Sequence, residues 1–137
     1  MDKLAKTGVA NIDLPKTHFD NLDFSFSGIK TAVLNLNHKN PDINKADLCA
    51  SFEKTVTEVL IENTKKAMKQ LGISTVALAG GVSANSYIRE EFSKIENAKI
   101  YYPEISLCTD NAAMIASAGY YNYLKRKYIR FIIKCGA

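Results

Sequence analysis

A pair of glycines, Gly80–Gly81, follows a short apolar run and precedes a stretch with helical spacing. Paired glycines let backbone N–H groups approach a phosphate closely, and a helix start adds a favourable positive end. Ser83 and Asn85 stand just beyond and can add hydrogen bonds. On spacing alone, a tight turn accounts for the pair at least as well. Farther on, Cys108–Thr109–Asp110–Asn111 leads into an alanine-rich stretch. The Asp110 carboxylate can ligate a metal ion through oxygen. Asp110 or Thr109 can equally cap the helix, and spacing favours the cap. Ser25, Ser27 and Lys30 invite comparison with a serine–lysine nucleophile, but capping serines beside an exposed lysine are the commoner arrangement. Cys108 has no histidine predicted nearby and reads as structural. His18 and His38 lie far apart in polar segments and are expected to be exposed. No general base is identified.

The elements that must position these residues follow from periodicity. Residues 1–22 are polar and read as a short helix end followed by a loop. Ile29, Ala32, Val33, Leu34 and Leu36 have helical spacing, with Ser27 near the N-cap and a stop at Asn40–Pro41. The longest amphipathic helix runs from about Ile43 to Gln70. It turns Phe52, Val56, Val59, Leu60, Asn63, Ala67 and Leu71 inward and closes at Gly72. Ser74–Ala79 reads as a buried strand. Ser83 is expected to cap a helix reaching about Ile95, with Ala84, Tyr87, Ile88 and Phe92 inward. Lys99–Tyr102 reads as a second strand, which makes a parallel, right-handed βαβ unit. A last helix begins at Asp110. Its small residues suit close packing, and it fades near Tyr123. Two strands are too few for an independent α/β core, so further strands are expected outside this chain.

The chain has 137 residues, 47% apolar and 23% charged, which excludes disordered and low-complexity classes. It has no run of 18 apolar residues and no secretory signal is read, so neither a membrane span nor export is expected. The net charge is +4, yet five of the 18 basic residues lie in 125–137, which holds no acid. The remainder is slightly acidic, 13 basic against 14 acidic residues, so no general nucleic-acid field is implied. Three cysteines without a CxxC pair fit a reducing cytoplasm.

Taken in order, three segments carry a resemblance. Asp23–Phe24–Ser25–Phe26–Ser27–Gly28–Ile29–Lys30–Thr31–Ala32 comes first. Ala79–Gly80–Gly81–Val82–Ser83–Ala84–Asn85 follows, then Leu107–Cys108–Thr109–Asp110–Asn111–Ala112–Ala113–Met114–Ile115–Ala116. Together they closely resemble the C-terminal half of the TsaD family, the tRNA threonylcarbamoyladenosine-synthesis proteins once described as glycoproteases. The resemblance spans about Asp2 to Tyr123.

It implies an α/β fold, the C-terminal lobe of an actin-like ATPase (sugar kinase, Hsp70, actin), mostly helical with one short parallel βαβ unit. It implies three segments: 1–22 as a polar lead, 23–124 as the lobe, and 125–137 as a basic tail that departs from the family ending. The implied activity transfers a threonylcarbamoyl group from threonylcarbamoyl-adenylate to the adenosine next to the anticodon of tRNA. Gly80, Gly81, Ser83 and Asn85 would then lie at the adenylate or an ATP-type nucleotide. Asp110 would ligate one divalent metal ion, iron or zinc, which raises that reading above capping. The family's other ligands belong to a His-x-x-x-His motif absent from this sequence, so this chain by itself is expected to be inactive. Implied partners are tRNA and the other subunits of the synthesis complex, and an exposed sheet edge would favour a homo-oligomer. A non-catalytic nucleotide- or partner-binding lobe is the alternative. A metallo-glycoprotease is disfavoured because no HExxH pattern is present.

Overall fold

A computed structural model describes residues 1–125. The basic tail lies outside the described residues apart from Lys125. The order is α1 (Asp2–Ala5), α2 (Ser27–Lys39), α3 (Lys45–Leu71), β1 (Thr75–Ala77), α4 (Ser86–Ser93), β2 (Lys99–Tyr101) and α5 (Ala112–Leu124). Short 3-10 turns at Gly81–Ala84 and Ile105–Leu107 precede α4 and α5. Among the described residues the only sheet is the parallel pair β1–β2, with Val76 opposite Ile100. The chain is thus mostly helical with one small parallel βαβ unit. No described helix is long and apolar enough to cross a membrane.

The long helix is the backbone of the assembly. Asn44 caps it by accepting from the N–H groups of Ala46 and Asp47, and Gly72 closes it in the left-handed region at φ 64°. Val59 and Asn63 are buried as expected, while Leu71 is 66% exposed. Polar residues are buried on two sides of α3: Ser51 and Thr55 on one, Glu53 and Thr57 on the other. The Thr55 and Thr57 hydroxyls satisfy themselves by donating to the carbonyls of Ser51 and Glu53 (2.8 and 2.6 Å). These short polar side chains are therefore buried without an unmet hydrogen bond.

Residues 1–14 run along the first turns of α3. The Val9 N–H donates to Asp47 Oδ1 (2.8 Å) and the Ile12 N–H to Ser51 Oγ (3.0 Å). The core proper is Ile88, Phe92 and Ile95, packed by Leu60, Ile61, Met68, Leu78 and Ile100. Each such side chain, fully buried, contributes roughly 1.5–3 kcal/mol.

Several expectations need correction. The strands are not buried: Thr75 and Ala77, like Lys99 and Tyr101, are exposed, and only the central residue of each is partly covered. One face of so small a sheet meets α4, and nothing among the described residues covers the rest. The last helix does not pack closely either, since every residue of α5 is exposed. Its small residues permit close packing, but permission is not a partner. Ser27 opens α2 without a side-chain cap, because the preceding Phe26 holds the N-cap position. His38 is exposed as expected, but on α2 rather than in a loop.

A titratable contact joins the two ends of this arrangement. The Ser86 hydroxyl donates to Asp2 Oδ1 (2.6 Å), tying α1 to the start of α4. That hydrogen bond, with Lys6 nearby, holds the Asp2 carboxyl below its ordinary value of 3.8. A depressed folded value means the ionised form is favoured by folding. Its contribution is complete above the ordinary value and disappears as pH falls through the lower folded one. Asp2→Asn is therefore expected to melt below the parent at neutral pH, with the gap closing as pH falls past the ordinary value of 3.8 and through the lower folded one. Melting curves across that range check it; a gap independent of pH would remove the ionic role.

Candidate functional site: the glycine turn and the Asp110 loop

Beyond β1 the chain bends sharply at Gly80, whose φ of 86° and ψ of 167° fall in a region that only glycine occupies readily. The following turn is closed by Ser83 N–H donating to the Gly80 carbonyl (2.9 Å) and Asn85 N–H donating to that of Val82 (3.0 Å). Ser83 is buried and its hydroxyl donates to the Gly80 carbonyl (2.7 Å). Ser83 therefore does not cap the helix, as spacing suggested. The 3-10 turn consumes it, and the cap passes to Asn85, whose Oδ1 accepts from the Ile88 N–H (2.9 Å). The other end of that amide donates to Glu53 Oε1 on α3 (2.9 Å). Gly80 and Gly81 are exposed, and open space lies above Gly80, where an added Cβ would meet nothing within 4 Å.

The second half of the site is the loop ahead of α5. Cys108 is buried, as its structural reading required, and Thr109 and Asp110 are exposed. Neither of the latter caps α5. Asn111 does, with Oδ1 accepting from the Met114 N–H (3.1 Å) while its amide nitrogen donates to the Thr109 carbonyl (3.0 Å). The Asp110 side chain makes no hydrogen bond or ion pair among the described residues. A Cβ built on Gly81 would stand 3.9 Å from Thr109 Cγ2, so the glycine turn and the Asp110 loop are neighbours on one open surface. A cavity of about 400 Å³ adjoins the Asn85 end of the turn, lined by Glu53, Ser86 and Tyr87 together with Lys6 and Glu90 among others. Burial beside it pushes the Tyr87 hydroxyl up.

The residues present do not by themselves fit a metal centre. Among the described residues no three His, Cys, Asp or Glu side chains gather as a metal-binding group, and Asp110 stands as a lone carboxylate. His18 Nδ1 lies 3.3 Å from Glu62 on α3. The Ser25–Ser27–Lys30 segment is also remote. It is tied to α3 by Asn63 donating to the Asp23 carbonyl (2.9 Å), ten residues beyond Glu53, or about 15 Å along the helix.

Two residues escaped the spacing argument. Glu53 is not among the positions of α3 expected to turn inward, yet it is only 7% exposed and holds Asn85. Arg89 lies one residue past the inward-facing Ile88 and reaches both halves of the site: Nε to the Ser83 carbonyl (2.6 Å), Nη2 to the Pro103 carbonyl (2.6 Å) and to Cys108 Sγ (3.2 Å). The available signal for Arg89 was its position four residues after Asn85, on the same side of α4.

Fold and site together define a piece of an α/β protein with an exposed glycine turn at the carboxyl end of a parallel strand, beside a free carboxylate. The family model described as TsaD, tRNA N6-adenosine threonylcarbamoyltransferase, matches residues 1–117. The chain belongs to the TsaD family. Proteins named tRNA N6-adenosine threonylcarbamoyltransferase are similar to it. That of Clostridium perfringens (strain SM101) is 50% identical over 135 residues, covering 91% of this chain and 40% of the relative. Those of Clostridium novyi and Carboxydothermus hydrogenoformans are 47% and 44% identical, with 91% and 93% of this chain and again 40% of each relative covered. The chain thus spans about 40% of the length of the curated relatives it matches.

Proposed function

We propose that this chain supplies the C-terminal part of a tRNA N6-adenosine threonylcarbamoyltransferase, built as one lobe of an actin-like ATPase fold. The reaction would move a threonylcarbamoyl group from its adenylate to the adenosine beside the anticodon of tRNA. The observation that supports this reading is that a Cβ built on Gly81 would stand 3.9 Å from Thr109 Cγ2, in the residue before Asp110. Gly80 and Gly81 would let the adenylate phosphate approach the backbone without a side chain intervening. Asn85 keeps one lone pair and one amide hydrogen beyond its two bonds, enough for a substrate contact. Asp110 would give one ligand to a divalent ion, iron or zinc by family resemblance, whose further ligands are not among the described residues. The adenine amine is a weak nucleophile, so what these residues contribute is orientation. Expected partners are tRNA, the other subunits of the synthesis complex and a second copy of the chain, in the cytoplasm.

The test is a chimera. The Clostridium perfringens relative, with its matching segment replaced by residues 1–117 of this chain, is expected to form threonylcarbamoyladenosine in tRNA, read by nucleoside mass spectrometry. A folded chimera that leaves tRNA unmodified overturns the reading. A second reading, a nucleotide- or partner-binding lobe without catalysis, draws support from the lone carboxylate. Calorimetry of the 137-residue chain with ATP and a divalent metal separates the two.

A further inference from the structure

The Arg89 side chain bonds to both halves of the site. Its Nε donor serves the Ser83 carbonyl of the glycine turn, and its Nη2 serves the Pro103 carbonyl and the Cys108 sulfur in the loop ending at Asp110. The guanidinium carbon lies 5.3 Å from the Tyr102 ring centroid, and the Tyr102 hydroxyl donates back to the Arg89 carbonyl (3.0 Å). Cys108, 2% exposed, in turn passes its S–H to the Glu104 carbonyl (3.4 Å). Among the described residues Arg89 makes no ion pair, so this network is not the by-product of a salt bridge. A planar fork with several fixed donors, seated on an aromatic face, sets the distance between the segments it joins. A lysine, with a single point of attachment, does not.

We infer that Arg89 is a positioning residue that holds the glycine turn and the Asp110 loop at their working separation. The inference rests on the transferase reading above. Arg89 touches neither the nucleotide region of Gly80 nor the Asp110 carboxylate. It acts through the backbone of both segments, so its loss alters how a substrate held by the turn is presented to the loop.

Two measurements test it. In the 137-residue chain, amide hydrogen exchange of Arg89→Lys and Arg89→Gln is expected to accelerate about tenfold or more over 81–84 and 104–110, and to leave the middle of α3 unchanged. Asn44→Ala, which removes the cap of α3 far from the clamp, is the control and is expected to leave 104–110 unchanged. Equal exchange in parent and variants, or uniform acceleration along the whole chain, overturns the inference. In the chimera, both Arg89 variants are expected to lower kcat about 10–100-fold, with KM for the adenylate within about threefold. Unchanged kcat, or full rescue by lysine, also overturns it. A parent chimera without transfer sinks the transferase reading instead, and the exchange measurement still decides the role of Arg89.

Discussion

Gly80→Ala is expected to cost roughly 1–3 kcal/mol of stability and to lower transfer by the chimera about 100-fold or more, although the new methyl group would touch nothing. The penalty comes from the backbone. At φ 86° and ψ 167° an alanine is strained wherever its Cβ points, and the chain relieves that strain by rotating the peptide that feeds the turn. Rotation moves the Gly80 carbonyl, which receives both the Ser83 N–H and the Ser83 hydroxyl. Two neighbouring substitutions separate strain from other losses. Gly81 has no positive φ, and its Cβ would make an ordinary 3.9 Å contact with Thr109, so Gly81→Ala is expected to fold with parental stability. Asp110→Ala removes a side chain without a bond among the described residues, so it too is expected to keep stability while losing transfer. Thermal melts and nucleoside analysis on the three variants check the pattern. A Gly80→Ala protein as stable and active as the parent would show that the turn does not depend on glycine.

How much of this site could be read from the sequence depends on which force decided each detail. The long helix was legible because twenty-odd residues of periodicity and the Gly72 that follows them agree, although its cap, Asn44, falls inside the span expected from Ile43. The parallel βαβ unit was legible because two short apolar runs flank a helix-length segment. The caps were not. Ser83, Asn85 and Ser86 crowd one start, and Thr109, Asp110 and Asn111 crowd the other, all of them residue types that cap well. Local sequence has no means to choose among them. The choice is made by the 3-10 turn that follows Gly80 and by the burial of Cys108, both consequences of tertiary packing. Glu53 and Arg89 escaped for a related reason: a charged residue is expected in water, and only the third dimension brings Asn85 to the first and two backbone carbonyls to the second. The exposure of β1, β2 and α5 was misjudged because an apolar pattern states what a segment can bury, never what is there to cover it.

The largest stability effect expected lies where residues 1–14 are strapped to α3. A Cβ at Gly8 would stand 2.2 Å from both the carbonyl carbon and oxygen of Ala46. Those are backbone atoms inside the first turns of a capped helix, so they have no rotamer by which to yield. Either the helix start is displaced, which breaks the Asn44 cap, or the strap lifts away. The strap is the weaker side. Its visible ties include the Val9 and Ile12 amides bonding to Asp47 and Ser51, and Asp2 bonding to Ser86, against the continuous hydrogen-bond ladder of α3. Gly8→Ala is therefore expected to cost about 3 kcal/mol and to lower the melting temperature by roughly 10 °C, at the upper end of what overpacking produces. Trypsin should cut the variant at Lys3, Lys6 and Lys16 under conditions in which the parent resists, while sites within α3 stay protected. Gly28→Ala gives the contrast. That glycine lies in the first turn of α2, and a Cβ there would meet only Thr17 Oγ1 at 3.7 Å. The helix preference of alanine predicts an unchanged or slightly higher melting temperature, by at most about 1 kcal/mol of added stability. If Gly8→Ala melts with the parent and keeps its strap protected from trypsin, the close approach of residue 8 to α3 is wrong, and the path of residues 1–14 along that helix is wrong with it.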